Sequence, residues 1–303
     1  MDLPPTRSPL LSYGLYPLVV GAAALAAALA VRADANRSAV MPAILVSAIG
    51  ICMLVEWRHP LDRRWSMTAR SLGRRDLPYI TVGLVLERLC EVAVVAIATA
   101  TVSSRGFGPI GRLPLGAQVV AAIIEFDLLW YWYHRLAHQR PRLWRVHGAH
   151  HTPAQMYVLM HGVFHPFDEL VVRFVLALVV FRFGGFTPNA TFIALAIIGA
   201  VGVISHLNAD IRLWAFNHIL IGPETHRYHH SANHNGNYGT VTSIWDQLFH
   251  TFVFEPVPPA RLGLVNPGDY PDPEQFLRVL AWPLRSRAAT PRRDRADRVS
   301  VAP

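Results

Sequence analysis

Six apolar stretches dominate what this chain can fold into. They run roughly Leu15–Val31, Ala39–Val55, Tyr79–Val102, Leu115–Tyr133, Leu170–Phe186 and Ala190–Ser205. Crossing a bilayer takes about 20 apolar residues, and most of these stretches reach that length. The last two are short and separated only by Gly184–Asn189, so a tight hairpin that does not fully cross is one expectation for them. Charged residues make up only 16% of the 303, whereas a soluble domain carries about a quarter. The expected fold class is all-α, an integral membrane helical bundle of about 4–6 membrane helices with a polar cap.

The third stretch contains Glu87, Arg88 and Glu91. Charges at that depth face the protein interior or one another, and a structural ion pair is expected. The net charge is +8, and every basic residue is Arg. A basic chain can indicate nucleic acid, but these Arg residues flank apolar segments, where guanidinium groups meet lipid phosphates. The expected partner is the lipid bilayer, with no nucleic acid.

Arg placement also gives an orientation. Arg58, Arg63, Arg64, Arg70, Arg74 and Arg75 follow the second stretch, and Arg285, Arg287, Arg292, Arg293, Arg295 and Arg298 crowd the tail. The positive-inside rule puts both regions in the cytoplasm. Four crossings lie between them, so the parity agrees. The external loops carry only Arg32, Arg37, Arg105 and Arg112. The first stretch has a single Arg before it and is expected to be retained rather than cleaved as a signal peptide. Residues 285–303, rich in Arg, Ala, Pro and Asp, are expected to be disordered.

Cys52 and Cys90 lie in apolar stretches and offer neither a disulfide framework nor a thiolate metal site. The fifteen histidines are more telling. His134 and His138 stand four residues apart at the end of the fourth stretch. His147, His150 and His151 form one His-x-x-His-His box, and His226, His229 and His230 form another. His206 ends the sixth stretch. These spacings bring imidazoles to one face of a helix. In the topology above, all of them fall on the cytoplasmic side. Nine imidazoles near an apolar boundary are costly to leave unpaired, and a metal resolves that cost. Imidazole suits zinc, iron, copper and nickel, and eight or nine nitrogens are too many for one ion. Two ions are indicated.

Further short runs accompany the boxes: His165-Pro166-Phe167-Asp168, Pro223-Glu224-Thr225-His226, Asn237-Tyr238-Gly239 and Ser243-Ile244-Trp245-Asp246-Gln247-Leu248-Phe249. With the boxes, they resemble the fatty acid hydroxylase superfamily, also called the sterol desaturase family, from about Ala117 to Phe254. The resemblance implies a helical membrane fold whose cytosolic helical cap holds a dimetal histidine cluster. It implies two iron ions, with zinc as a substitute in purified protein. Mapped by motif, eight ligands are His134, His138, His147, His150, His151, His226, His229 and His230; His206 matches a further family histidine near the metals. His161 and His165 are candidates to support the ligands, as are Asp127, Asp168, Glu224 and Asp246, which can hold an imidazole by its outer N–H.

The expected function is a membrane di-iron oxygenase. It hydroxylates or desaturates an unactivated C–H position of a sterol-like, fatty-acyl or isoprenoid lipid with dioxygen and two electrons. The chain has no flavin, haem or iron–sulfur motif, so an electron-donor protein of haem, ferredoxin or flavin reductase type is expected as partner, docking on the basic surface. The alternative is a metal-dependent membrane hydrolase or a metal transporter that does not use dioxygen. The expected location is a bacterial inner membrane, with the histidine cluster and C-terminus cytoplasmic. Three regions are expected: N-terminal membrane helices and a basic loop over 1–114, a catalytic domain over 115–256, and a C-terminal segment over 257–303. The run Trp130-Tyr131-Trp132-Tyr133 suits a membrane interface. Gly106-Phe-Gly108-Pro-Ile-Gly111 spells a dinucleotide-binding pattern but follows no strand and contains Pro, so it is set aside.

Overall fold

A computed structural model describes residues 8–101, 109–176, 180 and 184–285. The expected disorder of the tail, the first half of the Gly106–Gly111 pattern and part of the fifth apolar stretch lie outside these residues, as does the Glu91 side chain.

The described elements are helical. In chain order they are α1 (Pro9–Arg32), α2 (Arg37–Arg58), α3 (Ala69–Ser71), α4 (Leu77–Thr101), α5 (Leu115–Gln139), α6 (Pro141–His151), α7 (Pro166–Leu170), α8 (Pro188–Ser205), α9 (Pro223–His229), α10 (Ile244–Leu248) and α11 (Phe276–Leu280). Five of these, α1, α6, α7, α8 and α9, open on a proline. Its fixed φ suits a first helical turn, where its missing N–H costs nothing. Side chains cap other orphan amides: Asn36 Oδ1 accepts from Ser38 N at 3.1 Å, and Thr187 Oγ1 accepts from Ala190 N at 3.4 Å. A π-helical turn, Leu72–Asp76, joins α3 to α4.

Four helices, α1, α2, α5 and α8, are long and apolar enough to cross a membrane, and the chain is a membrane protein. The helix α4 has the length, at 25 residues, but carries Glu87, Arg88 and Glu91. At the centre stands α8, packed against α1, α2 and α5. It is apolar on all sides, as a helix surrounded by others must be. A close approach to α2 depends on Gly199, where a Cβ would come within 2.7 Å of Leu45.

Hydrogen bonds fix which helix ends share a face. The start of α1 lies beside the chain that follows α8: Arg212 N donates to Ser12 O at 2.8 Å, and Tyr16 OH donates to Ile221 O at 2.8 Å. The end of α2 joins the same face, where Glu56 accepts from Val158 N at 3.1 Å and Asn208 N at 3.4 Å. On the opposite face, the starts of α5 and α8 meet through Thr187 N and Gln118 Oε1 at 3.0 Å. Thus α2, α5 and α8 all run toward one face. The chain must return between them, first along α4 and then through residues 166–187. The long charged helix α4 makes the first of these returns, and it packs against α7.

Candidate metal centre

Nine histidines converge where α5, α6, α8 and α9 end, and all nine are buried. They form two groups, each with its potential ligand atoms within 4.8 Å of one another: His134, His138, His147, His151 and His229 in the first, and His150, His206, His226 and His230 in the second. The helices share their histidines reciprocally. From α6, the one-turn pair His147 and His151 enters the first group while His150 enters the second. From the second box, the one-turn pair His226 and His230 enters the second group while His229 enters the first. Each box therefore contributes to both groups, and the two groups are built as one unit.

The hydrogen bonds reveal which ring nitrogens carry lone pairs. His134 Nδ1 lies 2.8 Å from Tyr238 O, His150 Nδ1 3.1 Å from Val163 O, His206 Nδ1 2.9 Å from Gly202 O and His229 Nδ1 2.8 Å from Gly236 O. A carbonyl only accepts, so each Nδ1 donates. In a neutral ring, the Nε2 is then a bare acceptor. Yet His206 Nε2 and His150 Nε2 stand 3.2 Å apart, lone pair against lone pair. His134 Nε2 is buried with no partner among the described residues. Protonation would relieve the clash, but burial opposes it. Desolvation, with the neighbouring imidazoles, holds His150, His226 and His230 well below the ordinary histidine range, and desolvation takes His206 down to about 4. A cation between the nitrogens satisfies both conditions. The donor set is all imidazole, which suits iron or zinc, and two groups fit two ions.

A carboxylate touches a ring of the first group. Asp168 Oδ2 lies 3.2 Å from His147 Nδ1, with both side chains fully buried, and its other oxygen accepts from Tyr133 OH. Asp127, Asp246 and Glu224, given the same part from sequence, bond the backbone instead. Asp127 accepts from Thr240 N, Val241 N and Thr242 N at 2.8–3.0 Å and from Thr242 Oγ1 at 2.6 Å. Asp246 accepts from Tyr238 N and Gly239 N at 2.7 and 2.8 Å. Glu224 accepts from Leu213 N and Asn217 Nδ2 at 2.6 and 2.7 Å. The physical reason is local. A buried turn with unpaired amides needs an acceptor, and a carboxylate accepts several bonds at once. Asp127 and Asp246 therefore shape the loop whose carbonyls, Gly236 O and Tyr238 O, receive the outer N–H of His229 and His134. His165 caps α7, accepting from Phe167 N at 3.1 Å, and its Nε2 faces Leu280 O at 3.2 Å. His161 stands outside both groups, its ring 5.4 Å from that of His206.

Sequence reasoning passed over Tyr133 and the four carbonyl acceptors. A partial signal was Asn237-Tyr238-Gly239. Asn237 has φ of 56°, which Asn tolerates better than most residues. At Gly239 a Cβ would lie 2.2 Å from Thr242 O, so only glycine fits.

An apolar helical bundle topped by two buried all-imidazole groups defines a membrane protein with a histidine cluster able to hold metal. Residues 119–251, which hold every one of the nine histidines, match the family model described as Fatty acid hydroxylase. The chain is 28% identical over 253 residues to ornithine lipid hydroxylase OlsE of Rhizobium tropici, covering 80% of this chain and 76% of that protein. It is 30% identical over 144 residues to alkylglycerol monooxygenase of Danio rerio, covering 44% of this chain and 30% of that protein. It is 24% identical over 188 residues to lathosterol oxidase of Homo sapiens, covering 59% and 60%. The chain thus spans less than two thirds of the latter two relatives. No solved structure shows significant similarity.

Proposed function

We propose that the protein is a membrane di-iron oxygenase that hydroxylates or desaturates an unactivated C–H position of a lipid. The observation that carries this reading is the pair of buried imidazole groups whose acceptor nitrogens face one another. The family match and the oxidoreductase relatives, which act by name on an ornithine lipid, alkylglycerol and lathosterol, set the reaction class. The ligands in this reading are His134, His138, His147, His151 and His229 for one iron, and His150, His206, His226 and His230 for the other. The iron pair supplies dioxygen activation, which protein side chains cannot. The chain's own residues orient the ligands through carbonyls and Asp168, exclude water by burial, and place the centre beside the bilayer, where a lipid enters with its tail already in hydrocarbon. Hydroxylation balances as substrate, dioxygen, two electrons and two protons giving alcohol and water. The electrons come from a separate carrier protein. We take residues 115–256 as the catalytic domain, 1–114 as membrane helices with a basic loop, and the cluster and C-terminus as cytoplasmic in a bacterial inner membrane, following the Arg distribution.

A metal transporter would hold its ligands near the bilayer midplane, whereas these gather where helices end. The test is dioxygen consumption coupled to lipid oxidation by iron-loaded protein with a reductase. Lipid mass spectrometry then separates the outcomes, with a gain of about 16 mass units for hydroxylation and a loss of about 2 for desaturation. Activity that survives without dioxygen or reductant would return the site to hydrolysis.

A further inference from the structure

Behind α9, on the side away from the histidine groups, a cleft of about 240 Å³ opens on the cluster face. Its walls are the start of α1, the end of α2 with residues 59–61, residues 209–212, Glu224, Arg227 and Tyr228, and residues 255–258. Arg227 lines it and is only 3% exposed. A guanidinium has five N–H donors; among the described residues only Nη2 of this one is hydrogen-bonded, to Ala209 O at 3.1 Å and Leu207 O at 3.4 Å, and its Cζ lies 5.9 Å from the centre of the Trp65 ring. Its Nε is buried with no partner among the described residues. Among the described residues no carboxylate lies within ion-pair distance of it: Glu224 bonds Leu213 N and Asn217 Nδ2, Asp210 bonds Arg212, Nε to Oδ1 at 2.9 Å, and both offset its charge only from a distance. A buried cation without an ion-pair partner is costly, and here an anionic group entering the cleft would compensate it. At the mouth, exposed Glu255 supplies the opposite charge, its Oε2 3.2 Å from Tyr228 OH. Leu11, Val55 and Ile211 add apolar wall. The cleft lies at the ends of two helices long and apolar enough to cross a membrane, where such helices meet the headgroup layer. It is smaller than the roughly 300–1,000 Å³ of a site that encloses a drug-sized ligand, so it admits a headgroup and leaves the tails outside.

We infer that this cleft holds the headgroup of a zwitterionic membrane lipid, with its phosphate or carboxylate on Arg227 and its ammonium on Glu255. The anion meets the unmade N–H bonds, and the ammonium meets a carboxylate that an anionic lipid would find repulsive. The site's role as anchor for the oxidised lipid rests on the oxygenase reading; the binding itself needs neither metal nor turnover.

Native mass spectrometry of the full-length protein in detergent tests it, with phosphatidylethanolamine, phosphatidylglycerol and free phosphoethanolamine as probes. Phosphatidylethanolamine is expected to be retained about tenfold better than phosphatidylglycerol. Glu255→Gln is expected to level that ratio. Ser8→Trp, which fills the mouth and touches no histidine ligand, is expected to abolish retention of both lipids. Equal retention of the two lipids by the unaltered protein, or unchanged retention in Ser8→Trp, overturns the assignment. Binding of phosphoethanolamine as tight as that of the lipid overturns it in favour of a soluble ligand. Lipid retention without oxidation sinks only the oxygenase reading. Oxidation with unchanged retention in Ser8→Trp sinks only the cleft.

Discussion

His150 shows how much one side chain carries. It is the only residue of α6 in the second histidine group, and its Nδ1 is fixed by Val163 O, so its Nε2 points inward as an acceptor. His150→Ala leaves the second group three imidazoles and leaves the first intact. The expected outcome is a fall in bound metal from about two ions per chain to about one, measured by elemental analysis of the iron-loaded protein. Loss of both ions together would show that the groups fill as one. His206 supports a second prediction at this scale. In metal-free protein its burial depresses its pKa to about 4 from 6.5. Between those values the unfolded chain binds the proton and the native chain does not, so stability falls as pH drops from above 6.5 toward 4. The loss is on the order of 3 kcal/mol from this group alone, and the other depressed imidazoles act in the same direction. Thermal unfolding of chelator-stripped protein should show a melting temperature that declines steadily below pH 6.5. A flat profile would mean these rings are not neutral and buried together.

At the scale of elements, α5 and the 236–242 loop form one device. Asp127 gathers three consecutive amides and a hydroxyl from that loop, and the loop then offers its carbonyls to His134 and His229. Asp127→Asn replaces one acceptor oxygen with an amide that faces N–H donors. The expected cost is about 2–3 kcal/mol, read as a lowered melting temperature with reduced metal content. Retained stability would mean that the loop is held elsewhere. Much of this device was visible in the sequence, but not its logic. The spacing of His134 with His138 and of the two boxes follows from 3.6 residues per turn, which is local and legible. The division of each box between two groups is not, because a one-face rule brings His147, His150 and His151 together and says nothing of which neighbour each meets. Backbone acceptors are equally hidden, since Val163, Gly202 and Gly236 present a carbonyl whatever their side chain. A charged aspartate near a histidine box invites pairing with a ring, and the amides of a buried turn outcompeted that pairing for Asp127 and Asp246.

For the whole molecule, four of the six apolar stretches stand as helices long and apolar enough to cross a membrane, within the expected range of about four to six, while the third carries charge and the fifth lies partly outside the described residues. The shared face of α1, α2, α5 and α8 requires the chain to return between α2, α5 and α8. Both ends of the described chain lie on that face: Ser12 is bonded to Arg212, and Arg285 O accepts from Arg145 of α6. Reporter fusions at the two termini should therefore register the same compartment, expected to be the cytoplasm. Opposite compartments would break that arrangement.

The reciprocal sharing of histidines also sets an order of events during synthesis. The ribosome delivers His134 through His151 early, His206 only after the last apolar helix, and His226 through His230 later still. Neither group is complete before residue 229 has emerged, and the second waits for residue 230. By then every apolar helix has been made, so the metal site is completed in an already assembled bundle. A chain stalled before α9 would be seated in the bilayer and empty, with partial nitrogen sites open to whatever ion is most available.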